Sequence, residues 1–144
     1  MNISTKGRYG LRAVLDLAMN YSERPITLST IAKRQQISEG YLEQLMSAMK
    51  KAGIVASSRG AQGGYYLARD PAQIYVGEVF RALEGPLAIT SCVSEENDAA
   101  CIRRENCGSA FIWAELQSAI SEVLDRYTIA DLISREYDNN YIQC

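Results

Sequence analysis

Three cysteines, Cys92, Cys101 and Cys107, fall in one stretch of the 144-residue sequence, with eight and then five residues between them. A thiolate can act as nucleophile, redox centre or soft metal ligand. This spacing is looser than the close Cys-x-x-Cys pairs of a zinc knuckle. Scattered thiolates on a loop do suit an iron–sulfur cluster, and in a cytoplasmic protein metal binding or redox chemistry gains weight over a disulfide framework. Cys144 stands on a polar tail, residues 137–144, which reads as mobile, so this thiol is expected to stay outside any ligand set.

A second kind of chemistry is offered between residues 27 and 67. Gln44 can give adenine two hydrogen bonds, and Glu43 can accept from the amino group of cytosine. Phosphate would repel Glu43, so a direct nucleic-acid contact makes sense for it only at a base. Ser38, Gly40 and Tyr41 occupy the same first part of one helix, where Gly40 lets the helix approach closely. Arg59, beside Gly60 in a glycine-rich turn, can enter a minor groove whose narrowness concentrates negative potential. Lys6, Arg8, Lys33, Lys50 and Lys51 are candidates for phosphate neutralisation. The same residue types also make ordinary solvated surface, so the elements carrying them must decide.

Those elements follow from apolar spacing. Leu11, Val14, Leu15, Ala18 and Tyr21 predict an amphipathic helix over residues 9–22, which Pro25 interrupts. Thr27 can cap a short helix over 28–35, with Ile31 and Ala32 inward; Ser38 can cap the next, with Tyr41, Leu42, Leu45, Met46 and Met49 at helical spacing and Gly53 as its stop. Only Gln36 and Ile37 separate the two, the short connection of a helix-turn-helix. The period then changes: residues 54–58 read as a strand, 59–64 as a glycine-rich turn and 65–67 as a return strand. Two helices followed by a glycine-tipped hairpin make a winged helix.

Asp70-Pro71 marks a boundary, and a short helix over 76–83 leads into the irregular, cysteine-bearing stretch 87–108. Ile112, Leu116, Ala119, Ile120, Val123 and Leu124 then trace an apolar stripe on a helix of about four turns. A second subunit is the simplest cover for it. Thr128 can cap a last helix over 129–135. The fold class is therefore mainly α with a small β-hairpin. Residues 1–70 form a winged helix-turn-helix domain, 71–108 a connecting helix and cysteine loop, 109–136 the dimerisation and C-terminal helices, and 137–144 a tail.

Charge is divided the same way. Residues 1–69 hold ten Lys/Arg and four Asp/Glu, a net of +6, whereas residues 70–144 hold five and thirteen, a net of −8. A basic half suggests a polyanion partner for the first part of the chain. An enzyme is disfavoured: the chain has no histidine, no phosphate-binding glycine loop before a helix and no nucleophile beside an obvious base. No apolar run approaches the roughly 20 residues of a membrane span, and the first residues lack a signal-peptide core. A cytoplasmic protein is expected.

Three stretches, Ser4-Thr5-Lys6-Gly7-Arg8-Tyr9, Ile37-Ser38 through Tyr41-Leu42-Glu43-Gln44-Leu45, and Arg59-Gly60 through Gly63-Gly64-Tyr65, resemble the hallmark stretches of one family of bacterial repressors. It includes the iron–sulfur cluster regulator IscR, the cysteine-metabolism regulator CymR and the nitric-oxide sensor NsrR. The resemblance runs over about residues 1–132. It implies a homodimer with crossed long helices, whose recognition helices enter the major groove of a palindromic operator and whose wings enter the minor groove. It also implies an iron–sulfur cluster on Cys92, Cys101 and Cys107, with [2Fe-2S] the first expectation and [4Fe-4S] the alternative.

The sequence departs from the family at the fourth ligand. IscR-like proteins have a histidine where this chain has Ala110, and other relatives use an acidic side chain where it has Arg8. Glu43, Glu96, Asp98, Glu105, Cys144, a backbone group or an exogenous small molecule stay open. The expected function is a repressor that senses iron–sulfur cluster status and controls cluster-assembly or sulfur-metabolism genes. The alternatives are a nitric-oxide or redox sensor using the same cluster, and a cluster-free, CymR-like repressor of cysteine metabolism; CymR-like members lack the cysteine triad.

Overall fold

The computed structural model describes residues 3–21, 24–94 and 106–137. Helix α1 spans Thr5–Met19. It begins about one turn earlier than apolar spacing indicates, because Ser4 caps it by accepting from the backbone N–H groups of Lys6 and Gly7 at 3.1 and 3.4 Å. It also stops at Met19 rather than reaching residue 22, with Asn20 at its C-cap. The first turns are packed through glycines rather than through a stripe. A Cβ on Gly7 would stand 2.6 Å from a ring carbon of Phe80, and one on Gly10 would stand 2.0 Å from Leu83.

Helix α2, Leu28–Gln35, is capped by Thr27, and α3, Glu39–Lys51, by Ser38. Gln36 turns the chain between them in the left-handed region, at φ 55°, and Gly53 ends α3 at φ 70°. A polar clamp sets α2 against α1. Asp16, only 4% exposed, accepts from Arg34 at 3.1 Å and from the Gln35 amide at 2.7 Å. Arg12 donates to the Gln35 carbonyl at 2.7 Å. A buried carboxylate needs such partners to offset its lost hydration, and here they fix the end of α2 from which α3 departs.

The hairpin pairs β1, Val55–Ser58, with β2, Gly64–Leu67, in antiparallel register from Val55↔Leu67 to Ser58↔Gly64. A third pairing lies on the outside: Ile26 exchanges N–H···O bonds of 2.9 and 2.8 Å with Tyr65. The segment after α1, expected only to break the helix, thus also braces the wing. Gly64 permits this, since a Cβ there would lie 2.3 Å from the Ile26 carbonyl oxygen.

After a 3-10 turn at Pro71–Gln73 come α4, Val76–Glu84, a second 3-10 turn at Ser91–Val93, α5, Ala110–Arg126, and α6, Ile129–Tyr137. Helix α5 has 17 residues, nearly five turns rather than four. Thr128 and Asp131 cap α6 reciprocally: the Thr128 N–H donates to Asp131 at 2.8 Å, and the Asp131 N–H donates to the Thr128 hydroxyl at 3.2 Å. Paired bonds from Val76 to Tyr127 and from Ile129 to Ile74, 3.0 and 2.9 Å, stitch the start of α6 to the start of α4. One core results. It runs from Val14 and Leu17 through Ile31, Leu42, Met46, Met49 and Ile54 to Ile74, Val79, Phe80 and Ile129. Helix α5 lies at its margin, with Leu124 half-buried against it.

Candidate nucleic-acid interface and cysteine segment

Helix α3 is held by Leu42, Leu45, Met46 and Met49, which leaves its opposite face open. Gly40, Glu43, Gln44 and Lys51 share that face with Ser47, around a shallow hollow of about 820 Å³ that Ala82 of α4 completes. All five are exposed. A Cβ on Gly40 would meet nothing within 4 Å inside the chain. No packing within the protein therefore demands glycine there, and the helix surface at Gly40 is open to a close approach from outside. Ser47 was not singled out from the sequence, although helical spacing from Gly40, Glu43 and Gln44 points to it.

The other sequence candidates divide between the open face and its supports. Ser38 is exposed, and its hydroxyl accepts the Tyr41 N–H at 3.4 Å, so capping occupies it. Tyr41 is half-buried, with its ring set edge-on to Tyr9 at 6.2 Å between centroids, and so helps seat α3 on α1. Lys6 is exposed in the first turn of α1, away from α3 in sequence. Among the phosphate candidates, Arg8 lies 6.0 Å from the Tyr9 ring centre, Lys33 and Lys51 are exposed, and Lys50 donates to the Ser57 hydroxyl at 2.5 Å.

That last contact ties the end of α3 to the wing. Arg59 and Gly60 are exposed at the wing tip, and Gly60 has φ 109°, a conformation in which a side chain would be strained. Gly63 closes the turn, where a Cβ would stand 2.4 Å from the Ser58 carbonyl oxygen. Arg59 and the outer face of α3 thus belong to one braced unit, held by Lys50–Ser57 on one side and Ile26–Tyr65 on the other.

Cys92 sits in the turn Ser91–Val93 and Cys107 three residues before α5; both are half-buried thiols. Each lies beside a hydroxyl: Cys92 at 3.0 Å from Thr90 Oγ1, and Cys107 at 3.2 Å from Ser109 Oγ. Cys101 lies outside the described residues, as do Glu96, Asp98, Glu105 and Cys144. Among the described residues no three Cys, Asp or Glu side chains converge as a metal site. The two described thiols nonetheless suit a cluster, since both are soft donors, partly shielded from solvent and next to groups that can hydrogen-bond to sulfur.

The segment before Cys92 is fastened to α5. Gln117, 8% exposed, is the one buried residue of that helix, and its amide bonds the backbone of Leu87 and Ile89. Farther along, Arg81 of α4 donates to both carboxylate oxygens of Asp125 at 2.6 and 2.8 Å. These hydrogen bonds hold the Asp125 carboxyl below its usual range, against a smaller opposing effect of burial. At Glu78 burial would raise the pKa, but the Arg69 guanidinium and the Tyr75 N–H together bring it below the usual value. The apolar stripe of α5 remains outside: Phe111, Ile112, Leu116 and Val123 are 73%, 46%, 38% and 49% exposed. Beside it runs an apolar hollow of about 740 Å³ lined in part by Ile3, Phe80, Leu87, Ile89, Ile120 and Leu124.

Comparison with known proteins agrees with this architecture. Residues 3–135 match the model of the Rrf2 family, described as iron-dependent transcriptional regulators. The chain is 43% identical over 134 residues to the HTH-type transcriptional regulator CymR of Bacillus subtilis, covering 93% of this chain and 91% of that protein. It is 41% identical over 136 residues to the HTH-type transcriptional regulator IscR of Sodalis glossinidius, covering 94% and 81%. Among solved structures, T. potens IscR superposes with a TM-score of 0.79 at 40% identity, covering 100% of this chain and 94% of that one.

Proposed function

Because the chain belongs to the Rrf2 family of transcriptional regulators, we propose that it is a homodimeric repressor that senses iron–sulfur cluster status and reads a palindromic operator. The observation that carries this reading is the open face of α3, with Gly40, Glu43, Gln44 and Ser47 turned outward on a helix braced to the wing that presents Arg59. Gln44 and Glu43 read base edges in the major groove, and Arg59 enters the minor groove. Lys6 and Lys51 hold phosphate. Ser38 and Tyr41 act through α3, one by capping it and the other by seating it on Tyr9.

Residues 1–70 read DNA, 71–108 carry the sensor and 109–136 carry the dimer contact. The apolar stripe of α5 and the adjoining hollow are the surface that a second copy covers. Cys92, Cys101 and Cys107 hold an iron–sulfur cluster, [2Fe-2S] in the first instance. A bound cluster supplies a group whose occupancy follows iron, sulfide and oxidant. Thr90 and Ser109 place hydroxyls within hydrogen-bond distance of two of the sulfurs. Ala110 offers no donor, so the fourth ligand comes from another group. The protein works in the cytoplasm on cluster-assembly or sulfur-metabolism genes; among the described residues no helix is long and apolar enough to cross a membrane.

The test is anaerobic purification of the wild type and the four single Cys→Ser variants, with iron, sulfide and visible absorption measured per monomer. The wild type and Cys144→Ser should hold the cluster, whereas Cys92→Ser, Cys101→Ser and Cys107→Ser should lose it. Full occupancy in Cys101→Ser would break the triad assignment. A colourless wild type would favour the second reading, a cluster-free repressor of cysteine metabolism, to which the 43% identity with CymR lends support.

A further inference from the structure

Helix α5 inverts the usual arrangement of an amphipathic helix. Its apolar side chains are largely exposed, and its one buried residue is an amide, Gln117. The Nε2 of Gln117 donates to the Leu87 carbonyl at 2.9 Å and to Ser121 Oγ at 3.2 Å, while its Oε1 accepts the Ile89 N–H at 3.0 Å. The C=O of one residue and the N–H of the residue two farther on form the pair that an extended strand offers a neighbouring strand. One side-chain amide stands in here for that strand. Ser121, one helical turn away, holds it in place. A leucine at this position would leave two part-buried backbone groups, the Leu87 carbonyl and the Ile89 N–H, without this partner.

The clamp bears on the thiols. Cys92 follows Ile89 by three residues, in a turn that packs on α5. Cys107 precedes Ala110, the first residue of α5, by three, and its carbonyl accepts the Ala110 N–H at 3.1 Å. One helix therefore carries Cys107 at its start and Cys92 through Gln117, about 10 Å along its axis at 1.5 Å per residue. We propose that Gln117 is the positioning residue of the cysteine segment, fixing where Cys92 stands relative to Cys107. The purpose of the clamp rests on the cluster reading above; its geometry does not.

Two measurements on the full chain separate the clamp from general stabilisation and from the cluster reading. In the metal-free, reduced protein, iodoacetamide labelling resolved by peptide mass should show Gln117→Leu raising the Cys92 rate on the order of tenfold, the factor expected from losing one or two net hydrogen bonds. Cys107 should change by less than about twofold, since its tether is the helix start itself. Ser121→Ala should act in the same direction more weakly, and it guards against a Gln117→Leu variant that fails to fold. In protein loaded anaerobically, Gln117→Leu should lose iron to a chelator faster by a similar factor and alter the visible circular dichroism, while Gln117→Glu, which keeps the acceptor for Ile89, should fall between. An unchanged Cys92 rate in Gln117→Leu, or equal acceleration of both cysteines in Ser121→Ala, would overturn the proposal. A wild type without iron would instead overturn the cluster reading, and the labelling result would still decide the clamp.

Discussion

Helices α3 and α5 are both amphipathic, yet they point their apolar faces in opposite directions. In α3, Leu42, Leu45, Met46 and Met49 are buried and the polar row looks out. In α5, Ile112, Leu116 and Val123 look out, and the buried residue is Gln117. Periodicity reports that a helix has two faces, but not which face its own chain will cover. Under the proposed function the polar row of α3 meets DNA and the apolar row of α5 meets another α5.

The harshest way to break this contrast is to charge the outward stripe. Leu116→Glu combined with Ile120→Glu should abolish the proposed dimer and leave monomer or aggregate; light scattering that still shows an intact dimer would move the interface elsewhere. The same kind of insult to α3 should act within the subunit. Leu42→Ala, at a fully buried site, should lower stability by about 2–5 kcal/mol in urea unfolding while leaving association intact. On the polar side the effects are smaller. Arg59→Ala should weaken operator binding by about 1–3 kcal/mol, whereas Lys51→Ala should mainly reduce the salt dependence. Equal losses in a titration at fixed salt would remove the special role of the wing tip.

The smallest effect concerns the tie between α4 and α5. The Asp125 carboxyl titrates below its ordinary value of 3.8 because Arg81 donates to it. A folded-state pKa lowered in this way contributes stability that is present above the ordinary value and is lost as pH falls through the folded one. Stability of the wild type should therefore drop more steeply below about pH 4 than that of Asp125→Asn. With Asp125 largely open to solvent, the gap should be slight. Superimposable acid profiles would show that the ion pair adds nothing to the junction.

What the sequence made legible was local. Thr27, Ser38 and Thr128 cap helices as expected, because a cap needs only backbone N–H groups two or three residues away. The helix-turn-helix order and the glycine-tipped hairpin were also readable, each within a short stretch. Contacts between distant segments were not. The packing of the first turns of α1 depends on Gly7 and Gly10 meeting Phe80 and Leu83, and the bracing strand at Ile26 exists only because Tyr65 arrives beside it. Nothing in the sequence singles out Gln117, whose role exists only because the backbone of residues 87–89 lies against it. At the candidate site, the shared exposed face of Gly40, Glu43 and Gln44 followed from spacing, whereas the packing of Tyr41 required knowing where Tyr9 lies.

The stitch between Ile74 and Ile129 has a consequence for how the protein comes into being. Ile129 is fully buried, near the far end of the chain, in the same core as Val14 and Ile31. During synthesis the helix-turn-helix and its hairpin are complete in sequence by residue 67 but lack this plug until α6 has been made and has left the ribosome. Until then the nascent chain carries an unsealed apolar surface, and pairing over such a separation closes late and slowly. A polypeptide halted before α6 would be left with the core around α1, α2 and α3 unsealed. Closure of the core around the helix-turn-helix therefore follows synthesis of residues 71–128, so the finished fold is reached only with the rest of the chain already attached.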